Sequence, residues 1–562
     1  GVLAALPAND RERATQTVGA DLRLSGVPGA PPERQAALAA LPGVTGLTPV
    51  AEQTAFVGSA VVRTVALDTT GAMATGQLPA LRQDQADRPA PELLAALTAV
   101  PVQGLPVPGG PTALEVTVQA TAGLPLPAPG LRLTLRFQDS RGLADQVTAP
   151  LPADGSPHTV TLDLPGSDRR ALPLTLTGLD VRFPVQLVAR TTVDLRVSGI
   201  AAVTGGQRTG LALPPGQQWS PAGTVLPKPV DLRCPDTVPT RDTQLTDDSG
   251  ACSWESGGSA LLHAVLSSQE PDRPDGSGAD LAFAVVFEAG PGGTTGGRPS
   301  PVLPAVADRA LLDAVNAKVG DTLRIDWERD GKSTQRVRIT GEIAALPGYG
   351  KTPGNLLLDL RTLVQTRAAA GMAPPAVARW WLASSDPAAT WAAVDGHGEF
   401  GRAESVTQVA VALADDPFRT GLRGAWLLVV VTAPFFAVTA LVLHTVSAAR
   451  TRQREFAVLR ALGVRRRELT RLLRAEQLAV TAPPVLLGAL LGLLLAALLL
   501  PFTVLDDSAA PLFPALDDAP GRPAAALTAL ASGLLLALAV LVLTRLLARV
   551  DLVRALRAGE DG

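Results

Sequence analysis

The sequence predicts an α+β extracytoplasmic domain with an inserted antiparallel β-sandwich, followed by three transmembrane α-helices. Three observations carry this expectation. Composition shifts along the 562 residues: Gly, Pro, Thr and Asp are frequent up to about Arg423, whereas Leu, Ala and Val dominate from Ala425. Within the first part, strands of period two recur between Pro/Gly turns from Pro111 to Ile200. Within the second, three uncharged runs reach the length of about twenty residues that a hydrocarbon layer of roughly 30 Å requires.

The elements follow in chain order. Residues 1–110 read as the first half of the α+β domain. ADLRLSG (20–26) alternates like a strand, PPERQAALAALPGV (31–44) begins with the Pro-Glu signature of a helix, and TGLTPVAEQTAFVG (45–58) and VVRTVALD (61–68) are strand-like. Residues 111–200 hold ALEVTVQ, LRLTLRFQD, HTVTLDLPG, LPLTLTGLDVRF and TTVDLRVSG, the alternation of a sandwich inserted between the halves. Such a sandwich serves either as a sugar-binding module or as a structural insert, and no aromatic cluster in the sequence favours the former. Residues 201–299 read as a Gly/Pro-rich connecting region. Residues 300–424 resume regular structure as the second half. There AVADRALLDAVNAKVGDTLRIDW suggests a helix, a turn at Gly320-Asp321 and a strand, followed by QRVRITGEIAALPG, PAVARWWLASS and ESVTQVAVALADDP.

Charge orients the apolar runs. Between Arg450 and Arg474 stand nine arginines against Glu455 and Glu468, while the loop 506–523 has four aspartates and one arginine. Arg545, Arg549, Arg554 and Arg557 follow the third run. The apolar runs predict helices at 425–447, 478–505 and 524–548, and their orientation follows from the positive-inside rule. It puts a segment at 448–477 and a tail at 549–562 in the cytoplasm, with 506–523 and residues 1–424 outside a bacterial plasma membrane. Pro434, Pro483, Pro484 and Pro501 are compatible with spanning helices. GVLAALPANDRER lacks the basic leader and apolar core of a signal peptide, so a further transmembrane helix is expected ahead of Gly1.

An extracytoplasmic position permits a disulfide between Cys234 and Cys252, the two cysteines of the chain; free thiols are the alternative. Their spacing has no CxxC character, and no histidine cluster accompanies them. The four histidines, at 158, 263, 397 and 444, are scattered. HExxH, GxSxG and GxxxxGKS are absent, and the GTTGG turn near 293–297 lacks the lysine of a phosphate loop. No enzymatic activity and no cofactor are expected in the chain itself. A net charge of −3 carries no nucleic-acid signal.

The segment TRQREFAVLRALGVRRRELTRLLRAEQ, from Thr451, combines both features of a docking element. Phe456, Leu459, Leu462, Leu469, Leu472 and Leu473 form an interrupted apolar stripe, arginines cover much of the rest, and Gly463 divides two short helices. Either it docks a soluble partner at a cytoplasmic bend or it lies on anionic lipid.

These residues resemble the cytoplasmic segment of the FtsX/MacB-like ABC transporter permeases. Glu455, Phe456, Leu459, Arg460, Ala461, Leu462 and Gly463 match the family's E-[FI]-x-x-[LM]-R-A-[LI]-G motif, and Arg466, Leu469 and Glu476 match its continuation. ARVDLVRALRAGE resembles the family's ending, with Leu556 and Gly559 in place, and DDPFRTGLRGA is similar to the entry seen in actinobacterial members. The resemblance implies a permease subunit with a cytoplasmic ABC ATPase as its partner, ATP being bound by that partner. It also implies a permease dimer surrounded by membrane lipids. Members of this family have four core helices, and the large outer domain lies between the first and second. ATP-driven motion passes to that domain, which exports or releases a substrate or activates a partner. A membrane-anchored binding or adhesion protein that uses the sandwich is the alternative function.

Overall fold

A computed structural model describes residues 2–451 except 28–30, 76–84, 98–101, 167–168, 185–190, 225–250, 257–259, 268–281, 292–301, 332, 351, 370–371, 373 and 416, together with isolated helical positions between 475 and 542. The chain forms two compact units, Thr15–Val406 and the remainder, Gly1–Ala14 with Thr407–Gly562. The fold is mixed α/β, with large sheets in the N-terminal region.

A helix at Val2–Val18 precedes β1 (Leu22–Ser25), β2 (Val44–Val57) and β3 (Ala60–Leu67). Between β1 and β2, Pro31–Ala39 is helical. Its two leading prolines lack N–H groups that would have no intrahelical acceptor there, and Glu33 in the first turn complements the helix dipole.

Twelve strands come next: β4 (Leu105–Val107), β5 (Ala113–Ala122), β6 (Leu131–Gln138), β7 (Ala144–Leu151), β8 (Asp154–Asp163), β9 (Leu174–Pro184), β10 (Thr192–Thr204), β11 (Gln207–Leu211), β12 (Gln217–Thr224), β13 (Ala251–Glu255), β14 (Leu262–Ser267) and β15 (Ala282–Pro291). The last group is β16 (Leu303–Asp308), β17 (Thr322–Asp326), β18 (Thr334–Ile343), β19 (Gly354–Asp359), β20 (Val377–Ser384) and β21 (Arg402–Ser405).

The first and last groups share one nine-stranded sheet, ordered β17-β18-β16-β19-β3-β2-β20-β1-β21. Chain segments on either side of the sandwich strands are thus interleaved: β19 runs parallel to β3, and β20 lies antiparallel between β2 and β1. Strands β4–β15 form two six-stranded sheets, β13-β14-β10-β5-β8 with β11 beside β10, and β12-β15-β9-β6-β7 with β4 beside β9. Alternation is the cause of their packing. On β6, Leu131, Leu133, Leu135 and Phe137 are buried, and Arg132, Thr134 and Arg136 take the opposite face. They meet Val116, Val118 and Leu195 of the facing sheet in one core that also contains Trp219 and Phe287.

Two findings differ from the sequence reading. Strands β11–β15 fall within 201–299, the stretch read as a connecting region, and they complete both sheets of the sandwich. Their strands are separated by Gly, Pro and Asp clusters that dilute the alternating signal. The AVAD run read as the start of a helix belongs to β16. Asp308 ends that strand and caps the following helix Arg309–Val315 by accepting from the Leu311 N–H at 2.9 Å.

The sandwich is seated on the mixed sheet through the β6–β7 turn. Leu143 is buried with Leu22, Leu24 and Trp380. Asp139 accepts from the N–H groups of Arg141 and Leu143, both at 2.9 Å, and from the Gln35 side chain at 3.1 Å. Arg361, on the helix Leu360–Ala369, donates to the Ser140 carbonyl and pairs with Asp68 at 2.9 Å.

In the other unit, Pro417–Thr451 is a 35-residue helix whose stretch Leu427–His444 is long and apolar enough to cross a membrane. It is the one such helix among the described residues. The hydroxyls of Thr432 and Thr439 donate to the carbonyls of Leu428 and Phe435, so these polar groups are satisfied inside the apolar stretch. The expected spans at 478–505 and 524–548 lie outside the described residues apart from isolated helical positions.

Candidate functional site

The residues that sequence reasoning assigned to ATPase coupling, Glu455 to Gly463 with Arg466, Leu469 and Glu476, lie outside the described residues. So does Cys234; the backbone of Cys252 is in β13, opposite Leu266. The described residues instead reveal a polar network where the chain enters and leaves the mixed sheet.

Strand β1 follows directly on the N-terminal helix, and β21 is followed in the chain by helices Val406–Ala414 and Pro417–Thr451. These two strands pair antiparallel at one edge of the sheet, with Arg23 opposite Glu404. β21 has four residues and a single partner strand, and of these only Ser405 is buried. Its approach is close because Gly401, at φ +67°, lets the backbone pass Ser25; a Cβ there would lie 2.2 Å from the Ser25 carbonyl oxygen. The Val406 N–H then donates to the Asp21 carbonyl at 3.1 Å.

Arg23 is the hub of this edge. Its guanidinium pairs with Glu404 and donates to the carbonyls of Thr17 at 3.0 Å and Gly348 at 2.8 Å. Thr17 lies in the last turn of the N-terminal helix, where exposed carbonyls and the helix dipole favour a cation. The pair is largely buried, with side chains 11% and 25% exposed, so solvent screens it less than a surface ion pair.

From Arg23 the network continues across the sheet. Arg379 on β20 also reaches the Gly348 carbonyl, at 3.4 Å, and pairs with Glu52 of β2 at 2.7 Å. The Tyr349 hydroxyl donates to Glu52 at 2.8 Å, and the guanidiniums of Arg379 and Arg63 each lie over its ring, 4.8 and 5.7 Å from its centroid. Burial, then the Glu52 charge, pushes the Tyr349 hydroxyl far above its usual range, so it remains a donor. Arg63 of β3 donates to Asn355 of β19 at 3.5 Å, and Asn355 donates to Asp308 of β16 at 2.6 Å. Burial raises the Asp308 carboxyl against the hydrogen bonds and the Arg63 charge that lower it.

Glu404, Arg23, Arg379, Glu52, Arg63, Asn355 and Asp308 therefore represent β21, β1, β20, β2, β3, β19 and β16, which is their spatial order in the sheet. Polar side chains, bridged by the Gly348 carbonyl and Tyr349, thus run from the exit edge across seven of the nine strands of the mixed sheet. None was singled out from the sequence, because each is an ordinary polar residue of an alternating strand. The arrangement holds no nucleophile–base pair, and no group of His, Cys, Asp and Glu suited to a metal occurs among the described residues. What it can do is keep strands in fixed register when one edge is displaced.

Residues 427–550 match the family model of the FtsX-like permease C-terminal domain. No curated protein matches the chain. FtsX-like permeases are integral membrane components of ABC transporters that normally work with a cytoplasmic ABC ATPase and are not themselves the ATPase. The matched range begins within the helix Pro417–Thr451 and contains the motif from Glu455 to Gly463. Over residues 427–550 the chain is thus similar to the C-terminal domain of FtsX-like permeases, which is consistent with an FtsX/MacB-like permease.

Proposed function

We propose that this chain is the permease subunit of an ABC transporter or mechanotransmission complex. It relays ATP-driven motion from a separate cytoplasmic ATPase to a large extracytoplasmic domain, for export, release of a substrate or activation of a partner. Helices at 425–447, 478–505 and 524–548 cross the plasma membrane. Residues 1–424 and 506–523 lie outside, and 448–477 with 549–562 inside. In this reading Phe456, Leu459 and Leu462 dock the ATPase at the bend made by Gly463, and the permease works as a dimer. The outer location also suits a Cys234–Cys252 disulfide.

The observation that carries the reading is the permease match over 427–550, a range that takes in nearly all of the three apolar runs and the arginine-rich bend. An anchor for an adhesion domain would need one span and no such bend. The test is purification of the complete polypeptide from native membranes with mass-spectrometric identification of what accompanies it. An ABC ATPase in stoichiometric amount, with hydrolysis stimulated by the permease, is expected. A permease that purifies with no ATPase, and stimulates none, contradicts the reading in favour of a membrane-anchored binding protein.

A further inference from the structure

We propose that Arg23 is a positioning residue that ties the exit strand β21 to the sheet, so that displacement arriving along the chain at β21 is passed on through the Arg23–Glu404 pair. The inference rests on the relay reading above and names where, inside the outer domain, the relay begins.

Three observations lead to Arg23. β21 is short and lightly packed: only Ser405 is buried, and Ala403 is partly buried against the apolar cluster. On β1, Leu22 and Leu24 point into the apolar cluster with Trp380, leaving Arg23 on the other face to meet Glu404. And one guanidinium joins three segments far apart in sequence: the last turn of the N-terminal helix at Thr17, the loop at Gly348, and the exit strand. The planar fork of arginine suits this task, because its donors are fixed relative to one another and a shift of any acceptor is felt by the other two. Gly348 and Tyr349 then connect to Arg379, Glu52 and Arg63, so a shift at β21 has a continuous polar route to β19.

Hydrogen exchange of the complete polypeptide, with its co-purifying ATPase, is compared in ATP-bound and nucleotide-free states. In the wild type, amides of both β21 and the 344–350 loop are expected to change protection with nucleotide. In Glu404→Gln, which leaves the carbonyl bonds of Arg23 in place, the change at β21 should persist, whereas that at 344–350 should fall at least about threefold. Arg23→Ala should do the same, and Glu404→Asp should restore part of the response. A role confined to stability would shift exchange equally in both nucleotide states and leave the difference intact. If Glu404→Gln and Arg23→Ala keep the wild-type nucleotide response at 344–350, the proposal is overturned while the relay reading stands. If the wild type shows no nucleotide response even at β21, the relay reading fails and this inference with it.

Discussion

Gln35 donates its side-chain amide to the buried carboxylate of Asp139 at 3.1 Å, joining a helix beside the mixed sheet to a turn of the sandwich. With Leu143 buried beside Trp380 and Arg361 bonded to Ser140, this contact seats the insert on the sheet. Leu143→Ala removes apolar contacts that the surrounding side chains cannot fully replace, and should destabilise the protein by about 2–4 kcal/mol. Thermal denaturation of the purified protein checks the loss. Faster hydrogen exchange at 139–143, with the sandwich core unaffected, would place the effect at the seat. An unchanged midpoint would show that the turn is dispensable.

Asp180 should make the stability depend on pH. Burial raises its carboxyl to about 6 despite Arg136, whose Nη2 lies at 2.5 Å. The ion pair and the upward shift pull in opposite directions, and loss of hydration is the larger effect at a side chain only 10% exposed. The folded state therefore keeps a proton that the unfolded chain has released. This contribution is full below pH 3.8 and is lost as pH rises through about 6. At 1.36 kcal/mol per pH unit the rise corresponds to roughly 3 kcal/mol. Asp180→Asn should flatten the stability profile between pH 4 and 6 relative to wild type; superimposable profiles would exclude this role.

Gly401→Ala should loosen the exit edge. The substitution adds a Cβ at a positive φ and drives it against the Ser25 carbonyl, a combination that costs more than about 1 kcal/mol. Exchange at Glu404 and Ser405 should accelerate about tenfold while β10 and β5 keep their protection. Equal acceleration throughout would mean that β21 does not open on its own.

Legibility in the sequence followed local pattern. β1 was readable because ADLRLSG alternates, and the helix at Pro31 because its Pro-Pro-Glu start is a terminus signal. β5, β6, β8, β9 and β10 were readable for the same reason as β1. β16 was not, since LPAVAD is buried along most of its length and presents no alternating polar face. The strands after Ala201 were hidden by the Gly, Pro and Asp clusters between them. The edge network was illegible for a different reason: Arg23 and Glu404 stand 381 positions apart, and only the interleaved strand order brings them together. The motif from Glu455 to Gly463, by contrast, is contiguous and was recognisable without any fold.

Cys234 and Cys252 should be linked in protein isolated from the native host. Closing a loop of this length is worth roughly 3 kcal/mol in the chain-entropy account. Peptide mass spectrometry without reduction should recover the two peptides joined. Both thiols free to alkylation would reject the pairing and weaken the oxidising location assigned to residues 1–424.

The most direct test of the relay is ATP hydrolysis stimulated by the complete permease, measured with ATPase pull-down. Phe456→Ala and Leu459→Ala truncate apolar anchors, which in a packed interface commonly costs about 1–2 kcal/mol or more, a roughly 5- to 30-fold loss of association. Arg465→Ala should change little, because neighbouring arginines preserve the local field. The account predicts that both apolar substitutions weaken ATPase binding or uncouple its hydrolysis while membrane insertion survives. Wild-type binding and stimulation in both variants would contradict it, leaving the bend as a lipid-facing surface.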